Sequence, residues 1–517
     1  MRTKESFKNL IACLLLEGVL AISGFIVPRF FVELYGSTVN GLVSSISQFI
    51  SYMTLVEAGI GAAGTVALYG PLANKNYSKI NEVVSAAKAF YFRSGWIFVA
   101  LVAALISVYP FIVKNEIADA SFVRMMIFIL SVNGIVDYFF LGKYRVLLMA
   151  DQKGYVIYIA QIIGTVFMTV VSVWLIECKC SAIIVKGVAA LVYLIRSVAV
   201  AIYVKKAYPY ISFKEKPDMS LFSQRWSALV HQIVTLIVNN TAVVLMTIML
   251  PKNALVEISV YSVYNLVGYA MFNLLNSISN GVRASFGQVI ANNETDVLKK
   301  SFSTFEYLFQ MITFFAFTCM GILLFSFVDL YSSSFTDGAT YTRWSLVILF
   351  TAVGLIQSIR LPSLTVLIAA GHYHETQTRA IAEAAINLVV SIMLIRPLGV
   401  VGVLIGALSS YLYRTTDVLF YSNKHFVPGT IKNTFLRIIR NGITMLILIF
   451  LGLNFLPTTI DNWLVWLLCA VTVAFVSGCV FLIINFVFEK RQFMDSLKLA
   501  TQIFNKKINN CKDVNNE

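Results

Sequence analysis

Apolar runs of about 20 residues recur from end to end of the chain, separated by short polar connections. The segments 157–176, 233–250, 311–328, 443–456 and 463–488 are the clearest, and a run of about 20 residues suffices to cross about 30 Å of hydrocarbon as a helix. Barrel strands would instead alternate over about 10 residues. The pattern predicts an all-α polytopic membrane protein with about fourteen transmembrane helices. Spans are expected near 10–33, 40–69, 89–112, 122–148, 154–177, 181–204, 226–250, 258–282, 305–328, 343–369, 378–397, 400–421, 440–457 and 462–487.

The pattern also repeats. Ala73-Asn74-Lys75-Asn76 after the second span is echoed by Ala291-Asn292-Asn293-Glu294 after the eighth, and Leu148-Met149-Ala150 by Ile368-Ala369-Ala370. Tyr193-Leu194-Ile195-Arg196 in the sixth span matches Tyr411-Leu412-Tyr413-Arg414 in the twelfth, and the offset stays near 218 to 220 residues. Six helices per copy is an even number, so both copies enter from one side of the membrane. They are therefore expected to form a parallel repeat of two lobes about a central cleft. The expected organisation is an N-lobe at 1–204, a linker at 205–225, a C-lobe at 226–421, two extra spans at 422–487 and a charged tail at 488–517, beginning as an amphipathic helix.

Charge refines the topology. Only 13% of the residues are charged, 58% are hydrophobic and the mean hydropathy is +0.79, where a soluble domain carries about 25% charged residues. The net charge of +14 invites a nucleic-acid reading, which its distribution argues against. About 31 of the 40 Lys and Arg fall at one set of connections and termini and about 8 at the other, the bias that places both termini in the cytoplasm. The basic connections include Lys143, Arg145 and Lys153, and Lys424, Lys432, Arg437 and Arg440. The N-terminus resembles a signal peptide, but Glu17 interrupts its apolar run and the repeat needs this span, so it is read as a first helix. The seven scattered cysteines and four histidines form no CxxC pair and no zinc spacing.

Ionisable residues in hydrocarbon are costly and normally face a cavity or a partner. In the eighth span Ser262, Asn265, Tyr269, Asn273, Asn276, Asn280 and Arg283 recur every three or four residues. At about 100° per residue they share a face roughly 80° wide. One or two such residues would serve as interhelical glue; seven along one helix point to a wet surface. His231 and Asn239 in the seventh span, and Gln357 and Arg360 before a kink expected at Pro362, are further cavity candidates. Glu17, Glu57, Asp137 and Glu383 are candidates for ion coupling or for partnering the cations. Arg196 and Arg414 hold equivalent places in the two copies, with Asp417 one turn from Arg414. No Walker A, HExxH or GxSxG motif occurs, and the longest internal connection is about 20 residues, so neither nucleotide hydrolysis nor another enzyme activity is suggested.

Tyr35-Gly36-Ser37-Thr38-Val39-Asn40-Gly41-Leu42 leads into a serine-rich second span that ends in Leu55-Val56-Glu57-Ala58-Gly59-Ile60-Gly61, followed by Ala67-Leu68-Tyr69-Gly70-Pro71-Leu72. This block, with the six-plus-six organisation, resembles the bacterial polysaccharide flippases. These export O-antigen and capsule repeat units, and belong to the multidrug/oligosaccharidyl-lipid/polysaccharide superfamily. The resemblance implies alternating-access movement of an undecaprenyl-diphosphate-linked oligosaccharide across the bacterial cytoplasmic membrane, with a polysaccharide polymerase as a partner. It further implies that Arg283, Arg360 and His231 handle the anionic headgroup, with no bound cofactor and with Glu17 or Glu57 coupling a proton or sodium gradient. Many members have twelve spans, and this chain has two more. The competing readings are a drug/cation antiporter of the same fold, which would favour an acidic aromatic pocket, a lipid II-type flippase, and a non-transporting scaffold.

Overall fold

The computed structural model describes residues 2–57, 60–213, 215, 225–250, 252–457, 459–494 and 496. About half of the linker at 205–225 and most of the tail at 488–517 therefore lie outside the described residues. The elements in order are α1 (Arg2–Met53), a 3₁₀ turn (Thr54–Glu57), α2 (Ile60–Ala73), α3 (Tyr77–Ile112), α4 (Ala120–Val136), a π turn (Asp137–Leu141), α5 (Gly142–Ala150), α6 (Tyr155–Glu177), α7 (Ala182–Ala207), α8 (Arg225–Met249) and α9 (Ala254–Ala291). The chain continues through α10 (Thr295–Ser332), α11 (Trp344–Ile359), α12 (Leu361–Ala369), α13 (Tyr373–Leu398), α14 (Val400–His425), α15 (Ile431–Phe455) and α16 (Trp463–Phe488). No strand occurs among the described residues.

Among the described residues, eleven helical segments are long and apolar enough to cross a membrane. One of them, in α1, holds two of the expected spans; the remaining two expected spans coincide with α8 and α14, which are not among the eleven. The protein is an all-α polytopic membrane protein. The first two spans were expected to be joined by a loop, yet they are two helices that meet at a kink, with helical backbone on either side of it. The kink is at Gly36, at φ 81° and ψ 166°, in a conformation that a residue with a Cβ adopts only under strain. The partners of α1 show that the chain reverses there. Before Gly36, Asn9, Ser23 and Tyr35 bond Gln152 and Tyr155, Thr169 and Cys180 in turn, so this half lies parallel to α6. After it, Ser45 and Tyr52 meet Thr247 and Thr241, antiparallel to α8. Asp337 stabilises the reversal by accepting from the Ser37 amide at 2.5 Å and the Ala339 amide at 3.2 Å. Burial opposes its charge, but the bonds from Ser37 and Ala339 outweigh this and hold its pKa below the usual carboxylate range.

The duplication is visible in the helix boundaries. Thr295 opens α10, Tyr373 α13 and Val400 α14, each 218 positions after the residue that opens α3, α6 or α7. The fourth span of each copy is broken at the same point, leaving α5 and α12 as nine-residue pieces whose starts are 219 apart. The kink expected at Pro362 thus falls at Arg360, just before a proline at a helix start, where its missing N–H costs nothing.

By packing, the chain forms two compact units that do not follow the copies. The first comprises residues 1–266, 334–340 and 373–407; the second 267–333, 341–372 and 408–517. In the first, α8 packs against α1 and α13, and Glu116 caps α9 by accepting from the Ala254 and Leu255 amides at 2.7 and 2.8 Å, an anion at a helix N-terminus. In the second, α15 and α16 clamp onto α10. Arg437, expected in a basic loop, is 2% exposed: α15 begins nine residues before the expected span and carries it into the packed interface. Its Nη1 reaches Glu306 at 2.9 Å, its Nη2 reaches Glu489 at 2.6 Å, and its remaining donors bond Ser303 and Glu489. Arg440 pairs with Glu489 at 2.9 Å. Burial disfavours the Glu489 charge, but the two guanidiniums prevail and depress its pKa.

Candidate functional site

A charged cluster lies within the first unit, around a break in the second span. That span was expected to run unbroken over 40–69, but it changes to a 3₁₀ turn at Thr54–Glu57 and resumes as α2. Carbonyls freed at such a break need donors, since hydrocarbon offers none. Tyr138 donates to the Thr54 carbonyl at 3.2 Å and Ser94 to the Val56 carbonyl at 3.3 Å. Glu57 therefore sits on a turn whose carbonyls are held from other spans, within electrostatic reach of Arg145 and Asp137.

Arg145 is the residue that sequence reasoning misplaced. It was grouped with loop cations because Lys143 and Lys153 flank it. The structure carries it on α5, paired with Asp137 at 2.6 Å. The π turn at Asp137–Leu141 inserts an extra residue into the fourth span, the kind of bulge found at functional sites, and it re-aims Asp137. The other Asp137 oxygen accepts from Tyr193 at 2.9 Å, and the Arg196 guanidinium stacks on the Tyr193 ring at 4.1 Å. Gly142, which opens α5 beside this cluster, admits the Tyr91 ring: a Cβ there would stand 2.6 Å from it. Arg145, Asp137 and Arg196, from the fourth and sixth spans, are thus joined through one tyrosine, with Glu57 of the second span within electrostatic reach. A signal was present in the sequence: Asp137, Arg145, Tyr193 and Arg196 are all polar residues inside apolar runs.

The polar face of α9 runs from Ser262 to Arg283. Tyr269 and Asn280 are exposed, and Asn265, Asn273, Asn276 and Arg283 are half-buried. Ser262 bonds the Ile258 carbonyl of its own helix, and Arg283 donates to Asn280 one turn away. Asn265, Asn273 and Asn276 form no hydrogen bond to another helix among the described residues. Among the described residues these three amides are therefore not engaged as interhelical glue.

In the second unit the fourth-span break is satisfied by side chains. Thr415 donates to the Ile356 carbonyl at 2.9 Å, Gln310 to Ile359 at 3.3 Å and Ser279 to Leu361 at 3.3 Å. Arg360, at the break, lies over the Tyr411 ring at 5.0 Å, and Gln357 is half-buried one turn earlier. Arg414 pairs with Asp417 at 2.6 Å.

The remaining candidates are scattered. Glu17 is half-buried on α1, and Asn239 is exposed on α8. Glu383 is 5% exposed on the buried face of α13 that it shares with Asn387 and Ser391. The side chain of His231 lies outside the described residues. No group of His, Cys, Asp or Glu able to hold a metal occurs among the described residues, and Cys178 and Cys180 are unbridged.

No family profile and no curated protein matches this sequence. Solved structures do. The lipid II flippase MurJ in an inward closed conformation aligns with a TM-score of 0.62 over 91% of this chain and 98% of its own, at 15% identity. An inward-facing multidrug resistance MATE family transporter of the MOP superfamily aligns at 0.59 over 82% of this chain and 99% of its own, at 11% identity. A eukaryotic MATE transporter aligns at 0.53, over 85% and 98% respectively, with 14% identity. The chain has the fold of these transporters.

Proposed function

We propose that this chain is a flippase of the bacterial cytoplasmic membrane, with both termini in the cytoplasm. It carries an undecaprenyl-diphosphate-linked oligosaccharide repeat unit from one leaflet to the other by alternating access, for surface polysaccharide assembly with a polymerase. The observation that carries this reading is the α9 face: four asparagines, a tyrosine and an arginine whose polar groups have no hydrogen bond to another helix among the described residues. Amides and a phenol suit sugar hydroxyls, and Arg283 suits a diphosphate, since a guanidinium forks onto its oxygens. The Tyr35–Leu72 sequence block and the shared fold support it.

Glu57 and Asp137 are the groups through which a proton or sodium gradient would act, because Arg145 faces both. A drug/cation antiporter, the second reading, needs a net negative pocket. In this cluster Asp137 is already paired with Arg145, and a second guanidinium, Arg196, stacks on Tyr193 beside it, which disfavours it. The lipid II reading shares the lipid diphosphate and differs in the glycan.

The test is export by Arg283→Ala in cells lacking the wild-type gene. Loss of surface polysaccharide with normal membrane levels of the variant is expected; normal polysaccharide would remove Arg283 from the mechanism. In proteoliposomes, a lipid-diphosphate oligosaccharide should cross where cationic drugs do not, and drug efflux with no lipid movement would favour the antiporter.

A further inference from the structure

Between α6 and α7 of the first unit lies an apolar groove of about 470 Å³. Ile163, Phe167 and Ile195 form its exposed walls, Gly164 and Ala199 its small-residue floor, and Tyr155 closes the end nearest the basic connections. The one charged residue lining it is Arg196. Its aliphatic stem crosses Gly164, where an added Cβ would come within 3.4 Å of the Arg196 Cδ. Its guanidinium is stacked on Tyr193, and among the described residues it has no hydrogen-bond acceptor and no carboxylate within ion-pair distance.

Arg196 is set back from the helix ends. It lies eleven residues before Ala207, the end of α7, and faces Gly164, nine residues into α6. At about 1.5 Å per residue this is some 14–16 Å along the axis from those ends, inside a span that crosses a hydrocarbon core about 30 Å thick. Stacking on Tyr193, one turn further from Ala207, keeps the head from snorkelling toward the interface. A guanidinium at that depth needs a counter-charge, and an ordinary phospholipid keeps its phosphate at the interface, out of reach. A lipid whose headgroup is being carried across the bilayer brings a phosphate to that level and trails an apolar chain that must lie somewhere.

We infer that this groove seats the polyprenyl chain of a lipid diphosphate in transit, with Arg196 as a mid-depth contact for its phosphate. The inference rests on the flippase reading and adds the place where the chain is held. It assigns the chain to α6 and α7 of the N-terminal copy.

The test uses the full chain in nanodiscs of phosphatidylethanolamine and phosphatidylglycerol, with a photoreactive residue at Ile163 and, as control, at Phe475, an exposed position on α16. The probe is alkyne-tagged undecaprenyl diphosphate. Labelling at 163 is expected to exceed that at 475. Unlabelled undecaprenyl diphosphate should compete it away, phosphatidylglycerol should not, and Arg196→Gln should lower it about tenfold or more, since a charged hydrogen bond is at stake. Gly164→Leu, which fills the floor and leaves the charge, should lower it as well. Equal labelling at both positions, indifference to Arg196→Gln, or equal competition by phosphatidylglycerol overturns the inference. Wild-type export is scored in parallel. Polysaccharide restored without labelling at 163 sinks the groove and spares the flippase, whereas no restoration by wild type sinks the flippase reading itself.

Discussion

The clamp between α10 and the last two helices allows a quantitative test. Arg437 and Glu306 are 2% and 1% exposed, and every Arg437 nitrogen is bonded. Arg437→Met removes the cation and leaves the Glu306 carboxylate buried with only Thr434 donating to it, at 2.8 Å; breaking a buried pair in this way costs about 3–5 kcal/mol. Glu306→Gln should cost less, about 1–3 kcal/mol, because Arg437 keeps Glu489 at 2.6 Å. The double variant Arg437→Met/Glu306→Leu removes the stranded charge, and Glu489 retains Arg440 at 2.9 Å. Replacing a buried pair by apolar side chains is often close to neutral, so the double variant should recover most of the loss. Unfolding in mixed micelles of increasing SDS, followed by tryptophan fluorescence, reads the difference, with Trp463 and Trp466 reporting from α16 itself. The reasoning fails if Arg437→Met costs less than about 1 kcal/mol, or if the double variant loses as much as the two single variants added together.

Gly142→Ala should destabilise by about 1–3 kcal/mol, because its Cβ would meet the Tyr91 ring at 2.6 Å; export should fall with it, and export unchanged from wild type would detach the charged cluster from function. Cysteines at Asn273 and Asn276 should react with a water-soluble thiol reagent in membranes; two unreactive thiols would deny α9 a wet face. Asp337→Asn should cost about 1.5–3 kcal/mol in thermal unfolding at neutral pH through loss of charge-assisted bonds. The Asp337 pKa is depressed in the fold, so its contribution is present above the ordinary value of about 3.9 and is lost as pH falls through the folded one. Wild type and variant should therefore converge in acid, and a gap that widens there would contradict the assignment.

The helices and their repetition were legible because both are written in local pattern. A 20-residue apolar run needs no partner to be recognised, and an equal offset survives weak similarity. Pro362 announced its break for the same reason, being a local backbone constraint. Arg437 was not legible as an interior residue. It lies beside other cations, and what allows its burial comes from elsewhere: Glu306 is 131 positions away, and Glu489 is 52. Arg145, flanked by Lys143, was taken for a loop cation although its partner Asp137 lies eight positions before it on the same span. The break at Thr54–Glu57 was hidden too, since the carbonyls it frees are satisfied from Ser94 and Tyr138, on two other spans. The stripe on α9 was legible as a face, but whether its amides were spent on neighbours required coordinates.

Comparing the two copies separates what the fold requires from what one copy has acquired. The fourth span breaks in both, at the π turn before Gly142 and at Arg360 before Leu361, so that break belongs to the shared architecture. The second span does not behave alike. In the first copy it breaks at Glu57; in the second, α9 runs unbroken for 38 residues, and the position 219 further on is Asn276. A carboxylate on a broken helix facing Arg145 can change its charge and alter the balance of its turn. An amide on a continuous helix cannot titrate and offers only hydrogen bonds. Under the flippase reading the duplication has therefore divided its labour: the first copy carries the groups able to respond to a gradient, and the second carries the fixed polar face that a glycan would meet.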